Sequence, residues 1–223
     1  MSKKKEKTEE ELLKDHKKWF KFLHVLVGVF LRPVFPLKKY GHTEPFNDGA
    51  YIIVGNHLSV LDVIPSAYAT DKPVYFMAKK ELFEKGIMKK FAEKSQAIPV
   101  NRDGNDVRAV MQSMKILKRG GIVNIFPEGT RNKTDDIFLP FKSGAAALSI
   151  KTKTPIIPII QVKKIRPFHK IRAYYGEPFE FTEYYGKKLT QEDIEVCDEI
   201  LRQKLLDMYL EFKEMLQKKK KRK

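Results

Sequence analysis

The sequence AYIIVGNHLSVLD, residues 50–62, decides how the rest of the chain is interpreted. Its first five residues are apolar, which predicts a buried strand closed by Gly55. A histidine and a carboxylate, His57 and Asp62, follow five residues apart in a polar turn. Because ligands bind at the carboxyl ends of strands in α/β sheets, this turn is a candidate catalytic site with His57 as general base.

The same turn also has a purely structural interpretation. Ser59 and Asp62 have the spacing of a helix capping box, in which the Ser59 hydroxyl caps the helix and the Asp62 carboxylate reaches back to the Ser59 amide. From residues 50–62 alone, the catalytic and the capping interpretations both stay open.

Further strands and helices alternate along the chain. Apolar runs predict strands at residues 73–78, 97–100 and 122–126, another at 155–160, and an edge-type strand at 170–175. Helices are predicted at 60–69, 79–94, 106–118, 144–150 and 191–217, and in the third of them the apolar side chains Val107, Val110, Met111, Met114 and Leu117 share one face. This alternation predicts an α/β domain with a mainly parallel central sheet flanked by helices.

The charge of the chain lies largely at its two ends. The 223 residues carry a formal charge of +16, but ten of the 44 basic residues belong to the two tails, which leaves 34 basic against 28 acidic residues between them. We therefore divide the chain into a basic N-terminus with an apolar helical motif (1–40), an α/β domain (41–217) and a polybasic tail (218–223). Basic ends favour anionic partners such as phospholipid headgroups, nucleic acid or acidic proteins.

Residues 19–31 form an almost entirely apolar segment with one narrow polar stripe. As a helix it would be about 20 Å long, shorter than the roughly 30 Å hydrocarbon core of a bilayer. With basic flanks and Trp19 at one end, it resembles a monotopic anchor lying in the cytoplasmic face of a membrane. The alternative is a helix packed on the domain's own core.

Cysteine and histidine usage narrows the chemistry further. Cys197 is the single cysteine, which excludes an intrachain disulfide and suits a reducing, cytoplasmic compartment. The histidines other than His57 have no paired spacing, so no metal site is expected. No nucleotide-binding loop follows any predicted strand, and no nucleic-acid motif is recognisable, so we expect neither a bound cofactor nor a nucleic-acid partner.

Polar turns follow three of the predicted strands. They contain His57 with Asp62, Asn101 with Arg102, and the run 128–131, Glu-Gly-Thr-Arg. With the blocks IPVNR at 98–102, FPEGTR at 126–131 and IIPI at 156–159, the NHxSxxD segment at 56–62 resembles the glycerolipid acyltransferase superfamily, in particular the 1-acyl-glycerol-3-phosphate (lysophosphatidic acid) acyltransferases. The resemblance covers roughly residues 45–180, and FPEGTR at this distance after HxxxxD is its most specific part.

The resemblance implies transfer of a fatty acyl group from a thioester of acyl-carrier protein or coenzyme A to the sn-2 hydroxyl of lysophosphatidic acid, giving phosphatidic acid. A free hydroxyl is a poor nucleophile near neutral pH and needs a base, and a histidine side chain, with an ordinary pKa near 6.5, can serve. His57 would take the proton, with Asp62 fixing its tautomer. No GxSxG motif is present, which favours direct attack without an acyl-enzyme. Backbone N–H groups of residues 128–130, including Gly129 and Thr130, would stabilise the oxyanion.

The family's acceptor carries a phosphate, for which the resemblance implies a cluster of cations. Arg102 and Arg131 can bind it bidentately, and Lys79 or Lys80 can add a point charge. Glu128 would either contact acceptor hydroxyls or order the arginines. Two alternatives remain: acylation of another lysolipid or of glycerol 3-phosphate, and a non-catalytic protein that binds anionic membranes.

Overall fold

The computed structural model describes residues 8–26, 33–84, 86–101, 106–142 and 144–221. Their strands form one seven-stranded sheet in the order β1-β7-β6-β2-β5-β3-β4. The strands are β1 Leu37–Gly41, β2 Tyr51–Gly55, β3 Val74–Lys79, β4 Ile98–Val100, β5 Ile122–Ile125, β6 Ile156–Gln161 and β7 Ile171–Tyr175. The pairing of β6 with β7 is antiparallel and the other named pairings are parallel, which confirms the predicted mainly parallel α/β sheet.

Helices cover both faces of this sheet. They are α1 Glu9–Leu26, α2 Val63–Ala67, α3 Gly86–Lys94, α4 Val107–Lys118, α5 Ala145–Thr152 and α6 Gln191–Lys221, with 3₁₀ turns at Val60–Asp62, Lys80–Phe83 and Thr182–Tyr184. On one face, α4, α5 and α6 contribute Leu117, Leu148 and Leu201 to the larger core cluster. On the other, Phe20 of α1 packs with Ile53 of β2. The sheet is therefore buried on both sides, as the long apolar runs of its central strands require.

The strand at 171–175 was predicted to be an edge strand, and this is wrong. β1 pairs with β7 along its whole length, from Leu37 opposite Ile171 to Gly41 opposite Tyr175. The strand β1 escaped prediction because its sequence, Leu-Lys-Lys-Tyr-Gly, contains two lysines and buries little besides Tyr40. Such a short, charged segment is typical of an edge strand, whose outer side faces water.

The apolar face of α4 meets the sheet only at its C-terminal end. Leu117 is buried, but Val107 is 68% exposed and Met111 is 51% exposed. The buried side chains earlier in the helix belong to the small residues Ala109 and Ser113. Small side chains let the helix approach the strands closely, so the most hydrophobic face of α4 is not the face that the domain buries.

The first helix, α1, covers residues 9–26, so the predicted segment 19–31 lies only partly within the described chain. His16 and Phe20 are buried, and the Trp19 indole N–H donates to the Ser95 hydroxyl at 3.0 Å. These contacts support the interpretation of α1 as a helix packed on the domain, and Phe22, 53% exposed, stacks on the Trp19 ring with the centroids 5.3 Å apart. Among the described helices, none combines the length and the apolar character needed to cross a bilayer.

Candidate active site

The strands β2, β5, β3 and β4 are neighbours in the sheet and end at nearly the same level. Val54 is opposite Ile125, Phe76 is opposite Asn124, and Lys79 is opposite Val100. Because these strands are parallel, the turns that follow them meet at one edge of the sheet. The segments that carry His57, Glu128 and Lys79 therefore follow strands that end on the same edge of the sheet.

His57 and Asp62 form a hydrogen-bonded pair at this edge. The imidazole Nδ1 lies 3.1 Å from Oδ2 of Asp62, and Asp62 is 1% exposed. The same Oδ2 accepts the backbone N–H groups of Leu58 and Ser59, each at 2.6 Å. A carboxylate held by two backbone donors is fixed in position, and it can in turn fix the orientation of the imidazole.

The capping interpretation is confirmed. The Ser59 hydroxyl accepts the Leu61 backbone N–H at 3.1 Å, and the Asp62 carboxylate accepts the Ser59 backbone N–H, so a capping box starts the 3₁₀ turn. The cap and the hydrogen bond to His57 coexist because one carboxylate has several acceptor sites. The cap is what holds Asp62 in place beside His57.

Glu128 binds the backbone of His57. Its Oε1 accepts the His57 N–H at 2.7 Å and its Oε2 accepts the Leu139 N–H at 2.9 Å. Glu128 is 2% exposed, and burial raises the pKa of its carboxyl, an effect opposed by these two backbone donors. On the other side, the His57 carbonyl accepts the Asn132 N–H at 2.7 Å. Both backbone polar groups of His57 are thus bound to the loop after β5.

Phe126 completes the environment of the imidazole. Its ring stacks on that of His57 with the centroids 4.2 Å apart and the planes only 8° from parallel. The Phe126 ring lies where β5 ends, next to Gly55. A Cβ atom at Gly55 would lie 2.7 Å from the Ile159 carbonyl oxygen, so only glycine fits there. Phe126 therefore restricts the plane of the imidazole, and Asp62 restricts the direction in which its Nδ1 points.

The comparisons with known proteins decide the family. A family profile described as Acyltransferase matches residues 37–162, more than half of the chain. The chain belongs to the acyltransferase family. One relative of this acyltransferase is the 1-acyl-sn-glycerol-3-phosphate acyltransferase of Bacillus subtilis, which is 28% identical over 85% of this chain and 96% of the relative. Another is the 1-acyl-sn-glycerol-3-phosphate acyltransferase of Streptococcus pneumoniae, which is 28% identical over 79% of this chain and 68% of the relative.

A solved structure shows the same fold. The crystal structure of the 1-acyl-sn-glycerophosphate (LPA) acyltransferase PlsC from Thermotoga maritima superposes on this acyltransferase with a TM-score of 0.56 at 22% identity. The match covers 89% of this chain and 80% of that one. The α/β architecture predicted from the sequence is therefore the architecture of a solved acyltransferase.

The backbone donors predicted for the oxyanion need one correction. The Gly129 N–H donates to the Phe126 carbonyl at 2.9 Å and closes the turn, so it does not point to the site. Gly129 has a φ of +64°, and a Cβ atom there would lie 2.8 Å from Cδ of Lys142, which explains why glycine occupies this position. Thr130, the next residue, is exposed and remains the predicted donor.

The basic residues predicted to bind the phosphate follow β5, β3 and β4, the strands that lie on one side of β2 in the sheet. Lys79 ends β3, where its ammonium lies 3.2 Å from the Glu81 carboxylate, and Lys80 and Arg131 are exposed. Strands lie about 4.8 Å apart, so the β3 end is roughly 10 Å from the β2 end. Arg102 lies outside the described residues, and its predicted role stays a prediction.

The structure adds contacts that the sequence did not reveal. Both Glu128 oxygens bind backbone N–H groups, those of His57 and Leu139, while its predicted contact with an acceptor or an arginine stays a prediction. Phe126 belongs to the FPEGTR block and Gln161 ends β6, but no sequence pattern predicted a role for either side chain at the site. No group of three or more His, Cys, Asp or Glu side chains arranged for a metal ion occurs in the described part of the chain.

Proposed function

We propose that this acyltransferase moves a fatty acyl group from a thioester to the sn-2 hydroxyl of 1-acyl-glycerol 3-phosphate, giving phosphatidic acid. The observation that carries the proposal is the His57–Asp62 pair, set at the carboxyl edge of the sheet and bound through Nδ1 at 3.1 Å. An Nδ1–H bound to the carboxylate leaves Nε2 as the nitrogen that takes a proton. The names of the relatives supply the acceptor.

In the proposed reaction His57 acts first as base and then as acid. Nε2 takes the proton of the acceptor hydroxyl while its oxygen forms a bond to the thioester carbonyl carbon. The tetrahedral oxyanion is stabilised by the Thr130 backbone N–H. The carbon–sulfur bond then breaks, the leaving thiolate receives the proton from His57, and an ester and a free thiol result. No acyl-enzyme is formed.

The acceptor phosphate is proposed to lie toward β3 and β4. Arg131, Lys79 and Lys80 supply cations on that side of His57, and Arg102 is predicted to join them. A guanidinium binds a phosphate through two parallel hydrogen bonds, whereas an ammonium acts as a point charge. This arrangement favours acceptors with a phosphate over neutral ones.

Acceptor specificity can be measured with the purified protein. Lysophosphatidic acid, glycerol 3-phosphate and lysophosphatidylcholine are each incubated with acyl-coenzyme A and with acyl-carrier-protein thioester, and the products are identified by mass. We expect product only from lysophosphatidic acid, and the donor that supports it identifies the thioester. Product from glycerol 3-phosphate or lysophosphatidylcholine with none from lysophosphatidic acid would contradict the proposed acceptor.

A membrane surface is the proposed location of the substrate, and exposed apolar side chains near the catalytic edge support it. The segments that leave β2, β3 and β4 expose Val60, Leu82, Ile87, Met88 and Val107, with Ile87 81% and Val107 68% exposed. Lysines such as Lys80 and Lys90 lie among them. Apolar side chains bordered by basic ones suit the interfacial region of an anionic membrane.

Co-sedimentation with vesicles tests this location. Binding to vesicles of phosphatidylglycerol and phosphatidylcholine is compared for the wild type, Ile87→Ser with Val107→Ser, and a control, Leu210→Ser, on α6. We expect the double variant to bind less and the control to bind normally. Equal binding of all three proteins would place the membrane contact elsewhere.

A further inference from the structure

The β2–β6 ladder continues past the end of β2 through a side chain. The Asn56 amide donates Nδ2–H to the Gln161 carbonyl at 2.8 Å, and its Oδ1 accepts the Gln161 backbone N–H at 3.0 Å. The Asn56 side chain thereby takes the place of a strand backbone. This pair of hydrogen bonds fixes the last residue of β6 directly behind the turn that carries His57.

The side chain of Gln161 then points at the catalytic pair. Its Nε2 lies 3.4 Å from Oδ1 of Asp62, the oxygen that does not face His57. Gln161 is 3% exposed, and its Oε1 has no hydrogen-bond partner among the described residues. A buried amide oxygen without a partner lowers stability, a cost that an apolar side chain of the same size would avoid.

We infer that Gln161 is a positioning residue for the proposed acyl transfer, which acts on His57 by donating a hydrogen bond to Asp62. The two Asp62 oxygens then have different partners, since Oδ2 holds the imidazole and the backbone of the turn while Oδ1 binds the amide. The 3.4 Å separation is at the long end of the range for a hydrogen bond.

The amide donor sets how strongly Asp62 attracts a proton on His57. A carboxylate that accepts no hydrogen bond from Gln161 stabilises the imidazolium more, so His57 would remain protonated up to a higher pH and would be a base over a narrower range. The ionisable group that the β5 loop presents to this pair is Glu128, which interacts with both members. The Glu128 carboxylate binds backbone N–H groups, and Lys163 and Lys164, which follow β6, are exposed. Substitution of Gln161 therefore leaves these three charged side chains in place.

The experiment uses Gln161→Met and Gln161→Glu in the full-length protein. Both keep the backbone groups that Asn56 binds, so they change only the side chain that faces Asp62. With Gln161→Met we expect kcat to fall about tenfold with little change in KM, and the acidic limb of the kcat/KM profile to move to higher pH. Gln161→Glu is the conservative variant, because a carboxyl this close to the Asp62 carboxylate stays protonated and donates to it in place of the amide, so its acidic limb should stay close to that of the wild type. Gln203→Met is the control, because Gln203 bonds to Asp207 on the exposed face of α6.

The inference rests on the proposed function, and a second readout separates the two. The titration of the His57 imidazole is followed by NMR in the wild type and in both Gln161 variants, which requires no substrate. A shift of this titration to higher pH in Gln161→Met, with little shift in Gln161→Glu, supports the positioning role even if no acceptor is turned over. The absence of turnover would refute only the proposed function. An unmoved titration in Gln161→Met overturns the inference, as does a kcat lowered equally at every pH.

Discussion

The Glu128 carboxylate binds the backbone N–H of His57 at 2.7 Å, and through this bond the loop after β5 holds the turn after β2. The Asn132 N–H donates to the His57 carbonyl at 2.7 Å from the same loop. The FPEGTR block thus supports the proposed base through its backbone, while Phe126 stacks on the ring. The segment 56–62 and the FPEGTR block are parts of one hydrogen-bonded unit.

Replacing Glu128 by glutamine should weaken this unit. The amide can accept one of the two backbone N–H groups but turns its NH₂ toward the other, which leaves a buried donor without a partner. We expect a loss of stability of about 1–3 kcal/mol and a fall in kcat of about tenfold or more, because small displacements of a base are costly. Urea unfolding and steady-state rates measure both effects. Glu214→Gln, which removes an exposed pair with Lys218, should change neither.

Phe126→Leu keeps apolar volume next to His57 but removes the stacked ring. Aromatic pairs contribute about 0.5–1.5 kcal/mol beyond their buried area, so we expect kcat to fall roughly two- to tenfold. Phe168→Leu serves as the control because Phe168 is 78% exposed. Wild-type kcat in the Phe126 variant would show that Asp62 alone orients the imidazole.

Gly55→Ala tests the close approach of β2 and β6 below the catalytic turn. The added Cβ atom would lie 2.7 Å from the Ile159 carbonyl oxygen, which is closer than such atoms can come. The strands must separate, and we expect a loss of about 1–3 kcal/mol in the free energy of unfolding. Gly144→Ala is a matched control, since the nearest atom to its added Cβ is 4.0 Å away. Equal stability of the two variants would contradict the observed register.

His16 predicts how stability depends on pH. Burial lowers the pKa of His16 to about 4, and its ring packs edge-on against Tyr75 with centroids 4.4 Å apart. Because the folded-state pKa is below the ordinary value near 6.5, the unfolded chain binds the proton more readily, and stability is lost as pH falls from about 6.5 toward 4. Between pH 7 and pH 5 this amounts to about 2 kcal/mol.

Urea unfolding at the two pH values measures this loss, with His16→Leu as the comparison. The leucine variant lacks the titrating group, so its stability should change less between pH 7 and pH 5 than that of the wild type. An equal change in both proteins would show that His16 does not cause the loss.

The sequence predicted the central strands because they are buried on both faces and therefore read as apolar runs. It failed at β1, where Lys38 and Lys39 hide an edge strand whose partner, β7, lies more than a hundred residues later. It also failed to show which face of α4 is buried, because Ala109 and Ser113 pack closely while Val107 stays exposed. Patterns of hydrophobicity do not record such long-range contacts.

The candidate site could be predicted in part: which residues lie on one edge of the sheet, but not which atoms they contact. The positions of His57, Asp62 and Glu128 at one edge follow from strand order, since turns after parallel strands meet there. The inward orientation of Glu128 and the contact of Gln161 with Asp62 do not follow from strand order. They depend on which atoms are buried after the loops have folded. Only the structure shows that both Glu128 oxygens bind backbone N–H groups.

The proposed reaction depends most on His57 as the base that activates the acceptor hydroxyl of lysophosphatidic acid. Wild type and His57→Ala are incubated with lysophosphatidic acid and each acyl thioester, and phosphatidic acid is quantified by mass, with urea unfolding confirming that both proteins are folded. We predict phosphatidic acid from the wild type and a loss of at least about a hundredfold in the folded variant. Retained turnover in His57→Ala, or no phosphatidic acid from the wild type with any donor, would contradict this role of His57.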